Sequence, residues 1–360
     1  MKNDDTPTRL PAEIGRQPAA PSHHLKWRRR LSLSTLGAAL LLAAAAPLSA
    51  SAASGPVTLN IVGYSVVKGA FAKLTAAYQK TAAGSNVTFT KAYGASGTEA
   101  SDVIAGQPAD LVNLALEPDM AKLVSAGDVA SNWAAGPYHG LVTDSVVVFI
   151  VRKGNPKHIK TWADLVKSGV SVLTPNPFTS GSARWNVMAA YGAQLELGKS
   201  KSEAKAYLRK LFVHVVAQDA SASDALADFT SGTGDVLLDY EDDAIQAEKA
   251  GADISYVIPP QTMLIQNPLA VVSKSAHLAA AKAFARYLLS AAGQTIWAKA
   301  GFRPVDSTVA KKFHFPKPKK LFSISYLGGW TSVENKFFNP TTGIVAKIEE
   351  DVGQSTSSSG

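Results

Sequence analysis

From Val57 onward, runs of apolar residues alternate between two spacings. Val57–Val62 (VTLNIV) alternates apolar and polar and predicts a strand; Ser65–Gln79 places Phe71, Leu74 and Tyr78 on one helical face. Val87–Thr90 predicts a second strand. Gly94-Ala95-Ser96-Gly97 then leads into a helix ending at Gly106, and Ala109–Leu116 predicts a buried strand. This β-α-β-α-β order implies a parallel sheet flanked by helices. The same alternation resumes at Val142–Val151, the most β-rich run of the chain. Strands follow at Val170–Thr174, Phe212–Val216, Gly234–Tyr240, Ile254–Ile258 and Leu269–Val272, with helices between and after them. There are more strands than one sheet needs. The pattern predicts an α/β protein of two lobes, each a mainly parallel sheet flanked by helices, with a ligand cleft between them.

The first 52 residues follow a different pattern. Lys26-Trp27-Arg28-Arg29-Arg30 precedes the uncharged apolar run Leu31–Ala46, and Ala50-Ser51-Ala52 fits a small-residue cleavage site. The apolar run is 16 residues, short of the ~20 that span a bilayer. An export signal cleaved near Ala52 is therefore expected, with a soluble, periplasmic mature protein. The expected organisation is 1–52 as signal, 53–141 plus 241–301 as one lobe, 142–240 plus 302–350 as the other, and 351–360 as a disordered Ser/Gly-rich tail.

Composition narrows the chemistry. The 360 residues include no cysteine, so disulfides, thiolate metal sites, cysteine nucleophiles and a cysteine-borne lipid anchor have no residue to carry them. The formal charge is +8 overall and +4 once residues 1–52 are set aside (29 basic, 25 acidic). That suits solubility and argues against nucleic acid, which wants a dense basic face. No G-x-S-x-G, H-E-x-x-H or phosphate-loop motif occurs, and the mature histidines are scattered. An enzyme, a metal and a cofactor are all unexpected. Glu241-Asp242-Asp243 reads equally well as a helix start or a metal site, and Lys311–Lys320 as a solvated edge, with membrane or partner contact the other reading.

Three loops carry the candidate chemistry: Gly94–Thr98, Thr179–Ala183 and Asp219–Ser223. Each places small or hydroxyl residues between a strand and a helix. The first N–H groups of a helix lack intrahelical acceptors and lie at the positive end of its dipole, which suits an anion. Alone, each loop reads equally well as an ordinary N-cap. Together, at the carboxyl ends of strands, they predict an anion site.

The chain resembles the periplasmic sulfate-binding proteins of ABC importers, a type II periplasmic-binding fold. The resemblance rests on Tyr93-Gly94-Ala95-Ser96-Gly97, Arg152-Lys153-Gly154-Asn155-Pro156-Lys157, Thr174-Pro175-Asn176-Pro177, Ser180-Gly181-Ser182-Ala183-Arg184-Trp185-Asn186, Gly234-Asp235-Val236-Leu237-Leu238, Tyr240-Glu241 and Phe302-Arg303-Pro304. It covers about residues 57–350. It implies a monomeric receptor that holds dehydrated sulfate with uncharged donors and delivers it to the membrane subunits of an ABC permease. By motif, the implied ligand contacts are Ser65, Ser96, Ser180, Gly181, Ser182, Ala222 and Tyr240, with Gly97 and Arg184 in support. Ser65 stands where the family usually has Asp, Tyr240 where it usually has Trp, and Ser182 where it usually has Gly. Those departures leave thiosulfate, phosphate, molybdate and organosulfonates as alternative ligands, and a non-transport role in sulfur-oxyanion chemistry as the alternative class.

Overall fold

The computed structural model describes residues 55–354, which lie in the second of two compact units into which the chain divides, Met1–Ala52 and Ala53–Gly360. The expected export signal lies outside the described residues. Eleven strands are present among them: β1 (Val57–Tyr64), β2 (Val87–Gly94), β3 (Leu111–Asn113), β4 (Leu141–Arg152), β5 (Val172–Leu173), β6 (Val215–Ala217), β7 (Val236–Tyr240), β8 (Ile254–Val257), β9 (Gln261–Val271), β10 (Arg303–Pro304) and β11 (Lys320–Phe322). The strand path is β2-β1-β3-β9-β4-β7-β5-β6. β1 lies parallel to β2 and β3, and β5 parallel to β6 and β7, as the helical crossovers require.

Two long strands depart from that parallel rule. β4 runs antiparallel to β9 along Leu141–Val146, then antiparallel to β7 along Val147–Val151. β9 pairs with β4 along Leu264–Pro268 and with β3 along Leu269–Val271. Each long strand thus belongs to two groups of strands and joins them. On its other edge β4 pairs with β8 at Phe149–Arg152, and the helix Glu241–Lys249 packs against β8 and β4. The helix Glu241–Lys249 and β8 therefore lie beside the second half of β4, and the chain returns to the first group along β9.

β9 is far longer than the strand expected at Leu269–Val272. Polar Thr262, Gln266 and Asn267, with Pro268, break its apolar pattern. The fold satisfies two of them internally: Thr262 Oγ1 donates to Val147 O at 2.6 Å and Asn267 Nδ2 to Ala115 O at 3.0 Å. Pro268 has no N–H to lose, and its carbonyl accepts from Leu114 N at 3.1 Å. The strand expected at Phe212–Val216 is the end of the helix Lys201–Val213 followed by β6, because Phe212 faces the core at the helical period set by Tyr207, Leu208 and Leu211. The C-terminal aromatics are core residues: Trp330 meets Trp185 edge-on at 4.7 Å, and Phe337 meets Tyr191 at 4.8 Å. The last helix runs Ile344–Val352, past the start of the expected tail, and Gln354 Nε2 donates to Val215 O at 3.0 Å. Residues 355–360 lie outside the described residues.

Arg152 fastens the end of β4. Its guanidinium donates to the carbonyls of Phe229, Thr233 and Gly234 at 2.5–3.0 Å and lies 3.9 Å over the Phe229 ring. These carbonyls end the helix Ala222–Ser231, whose start carries one of the candidate loops. Arg152→Met should take the guanidinium donor from the Thr233 and Gly234 carbonyls and cost roughly 1–3 kcal/mol, read as a lower urea midpoint with an unchanged m-value.

Candidate functional site

Every expected loop follows the carboxyl end of a parallel strand. Ser65 opens a 3-10 turn directly after β1; Ser96 is the first residue of the helix Ser96–Ile104 after β2. Ser180 precedes the helix Gly181–Glu196 beyond β5, Ser221 precedes Ala222–Ser231 beyond β6, and Tyr240 precedes Glu241–Lys249 beyond β7. Ala95, Ser180 and Tyr240 make no side-chain cap. Three buried helix starts thus keep first-turn N–H groups without a capping side chain.

Specific contacts draw these starts together. Gly97 N donates to Thr179 O at 3.1 Å, joining the first loop to the second. A side chain at Gly97 would place its Cβ 2.8 Å from that oxygen, so the close approach needs glycine. Thr179 Oγ1 donates to Ala220 O at 2.8 Å and Asn176 N to Asp219 O at 2.8 Å, joining the second loop to the third. Ser223 N donates to Ser65 Oγ at 3.3 Å, closing the ring of loops. Trp185 Nε1 donates to Ala115 O at 2.9 Å, and Gly181 packs against Ala115 and Leu116. Ser96, Ser180, Gly181, Ser182, Ala222 and Tyr240 are all buried, and Ser65 is half-buried.

The Ser96 hydroxyl is held within the protein. It donates to Asp119 Oδ2 at 2.7 Å and accepts from Ala115 N at 2.9 Å. Its single proton is committed, so its backbone N–H is what remains for a ligand. Arg184 turns away from the helix starts. Its Nε donates to Pro177 O at 2.8 Å and its guanidinium pairs with Glu334 at 2.6 Å, beside Phe338. Lys122 pairs with Asp119. The helix starts themselves carry the positive potential.

Two phenols complete the junction. Tyr64 and Tyr240 stand 6.2 Å apart, ring to ring, and their buried hydroxyls make no hydrogen bond. Ser182 and Asn267 face the Tyr240 hydroxyl, and burial, with Asp242 and Asp239 adding, pushes its pKa well above the phenol range. It therefore stays an O–H donor at neutral pH. Behind it, burial also pushes Asp239 and Asp242 well above the usual carboxylate range, and Asp243 up to about 6. Glu241 is held by Arg303 at 2.6 Å. Among the described residues no His, Asp or Glu cluster is arranged to hold a metal. Tyr64, Asn267 and Asp119 escaped the sequence reading; the one available signal was an Asn-Pro pair inside an otherwise apolar segment.

The model of the family described as bacterial extracellular solute-binding proteins matches residues 59–303. A sulfate-binding protein of Synechococcus elongatus is 37% identical over 334 residues, covering 87% of this chain and 94% of that protein. The chain belongs to the sulfate-binding proteins among the bacterial extracellular solute-binding proteins. A thiosulfate-binding protein of Pseudomonas aeruginosa is 35% identical, covering 85% of this chain and 96% of its own. The solved structure of the sulfate-binding protein SubI from Mycobacterium tuberculosis superposes with a TM-score of 0.76 at 43% identity, covering 78% of this chain and 98% of that one. The motifs that carry the family resemblance have visible structural work: Arg152 holds the helix end already described, Lys157 donates to Gly169 O at 2.7 Å, and Asn186 donates to Leu238 O at 2.8 Å.

Ser96→Ala should destabilise the ligand-free protein by roughly 1–3 kcal/mol, because it leaves Ala115 N–H and the Asp119 carboxylate short of a partner; chemical denaturation reads this directly. Asp144 is pushed up to about 7 by burial, against the pull of Arg303, and Glu349 up to about 7 by burial, against a hydrogen bond from Gln218. Unfolded carboxyls titrate near ~4, so the native state binds more protons across the window from about pH 4 to about pH 7. The stability these two groups contribute is complete below that window and is lost as pH rises through it. Asp144→Asn and Glu349→Gln should each flatten the fall of Tm between pH 5 and pH 8.

Proposed function

We propose that this chain is an exported receptor that captures sulfate between two lobes and delivers it to the membrane subunits of an ABC permease. The observation that carries the reading is the meeting of buried, side-chain-uncapped helix starts at Ser96, Gly181 and Glu241, where the one basic side chain, Arg184, is drawn off to Pro177 O and Glu334. A fully ionised oxyanion accepts at every oxygen and donates nothing, so N–H and O–H donors satisfy it completely. The proposed contacts are Ser65, the backbone N–H groups of Ser96, Gly181 and Ala222, the hydroxyls of Ser180 and Ser182, and Tyr240.

In this reading β4 and β9 are the hinge. One lobe gathers β1, β2, β3 and the end of β9; the other gathers β5, β6, β7, β8 and the end of β4. Closure forms the Gly97–Thr179, Ser65–Ser223 and Trp185–Ala115 hydrogen bonds and seats Gly181 on Leu116. Monohydrogen phosphate would bring a proton into a site of donors, leaving a buried group unpaired at roughly 1–3 kcal/mol. The similarity to a thiosulfate-binding protein makes thiosulfate the other ligand to test.

Calorimetric titration of residues 53–360, stripped of anion, should give one-to-one sulfate binding that phosphate does not displace. Preference for phosphate, or no sulfate binding, would overturn the ligand assignment. Gly181→Val should abolish binding, because Cβ would fall 1.9 Å from Leu116 Cδ2 and hold the helix start off its seat. Retained affinity in that variant would remove Gly181 from the site.

A further inference from the structure

The positive charge of the mature chain is concentrated in one place. Lys311–Lys320 (KKFHFPKPKK) holds five lysines, one histidine and no acidic residue, and no acidic residue occurs between Asp306 and Glu334. This decapeptide carries +5, more than the +4 of residues 53–360, so the rest of that unit is −1. Lys311, Lys312, Lys317, Lys319 and Lys320 are all exposed, and none of them forms an ion pair.

The segment is a fixed ridge. The helix Ser307–Ala310, capped by Asp306, leads into it, and β11 ends it parallel to β9. Arg303 donates to Pro316 O at 2.7 Å and stacks on Phe315, and Lys320 N donates to Pro260 O at 2.8 Å. Pro316 and Pro318 hold the intervening backbone out of helix and ladder. Half-buried Phe313 and Phe315 alternate with the basic residues and line a cleft of about 670 Å³ that Lys311, His314 and Lys317 also border.

We propose that this ridge holds the receptor against an anionic phospholipid membrane. All five cations are lysines. Lysine is a compact point charge that suits a diffuse negative surface, whereas a discrete phosphate or carboxylate site favours the planar fork of arginine. Interleaved aromatic rings add shallow apolar contact at a headgroup layer, and clustered lysines supply the electrostatic part. A receptor held on the membrane surface searches for its permease in two dimensions.

The test uses residues 53–360 and sedimented vesicles of phosphatidylcholine, with or without phosphatidylglycerol. The native protein should bind the anionic vesicles at about 50 mM salt and release at about 500 mM. Replacing Lys311, Lys312, Lys317, Lys319 and Lys320 by Gln should weaken binding by about tenfold or more, with sulfate affinity and Tm unchanged. A control variant removes the same charge at exposed Lys73, Lys80, Lys153, Lys201 and Lys205 and should keep the binding. Absence of binding by the native protein would overturn the proposal. So would an equal loss in the control variant, since binding would then follow net charge alone.

Discussion

A buried backbone N–H needs an acceptor, and this fold places several of them where the protein supplies none from a capping side chain. The helix starts at Ser96, Gly181 and Glu241 lie inside the molecule with Ala95, Ser180 and Tyr240 uncapped in front of them. Other helices are mixed: Ser200, Ser221, Ser290 and Asp306 supply side-chain caps, whereas Val67, Leu116, His277 and Gly343 supply none. The starts at Ser96, Gly181 and Glu241 are buried, unlike Lys68, Glu117 and Leu278 at other uncapped starts. An anion at the junction answers the donors and the dipoles together.

Much of the surrounding polar structure keeps charge away from that junction. Asp119 is answered by Lys122 and Ser96, Glu241 by Arg303, and Arg184 by Glu334. Asp239 and Asp242 are pushed toward their neutral forms by burial. The basic side chains around the junction are thereby paired with carboxylates and not aimed at the helix starts. Such a region discriminates by protonation state, because what it rejects is a ligand proton with no acceptor.

The alternation of strands and helices from Val57 to Leu116 was legible because each element carries its own period and ends in its own glycine or small-residue turn. The three loops were legible because N-cap chemistry is local. β9 was not, since its polar residues are satisfied by Val147 and Ala115, more than a hundred positions away. The use of the Ser96 hydroxyl was hidden for the same reason: its partners, Ala115 and Asp119, come from the far side of β3. The place of Ile254–Val257 beside β4 depends on an antiparallel pairing that no local pattern announces. Among the motifs that carry the resemblance, Arg152 and Trp185 turn out to brace the fold, and a motif alone does not separate bracing from binding.

The central claim is that uncharged helix starts hold the anion. A crystal structure of residues 53–360 with selenate, phased at the selenium edge, tests it most directly, since selenate has the shape and charge of sulfate and locates itself. The account predicts one strong anomalous peak within hydrogen-bond distance of the backbone nitrogens of Ser96, Gly181 and Ala222 and of the Tyr240 hydroxyl, with no lysine or arginine in contact. A peak held by a basic side chain, or lying away from these backbone nitrogens and the Tyr240 hydroxyl, would contradict it.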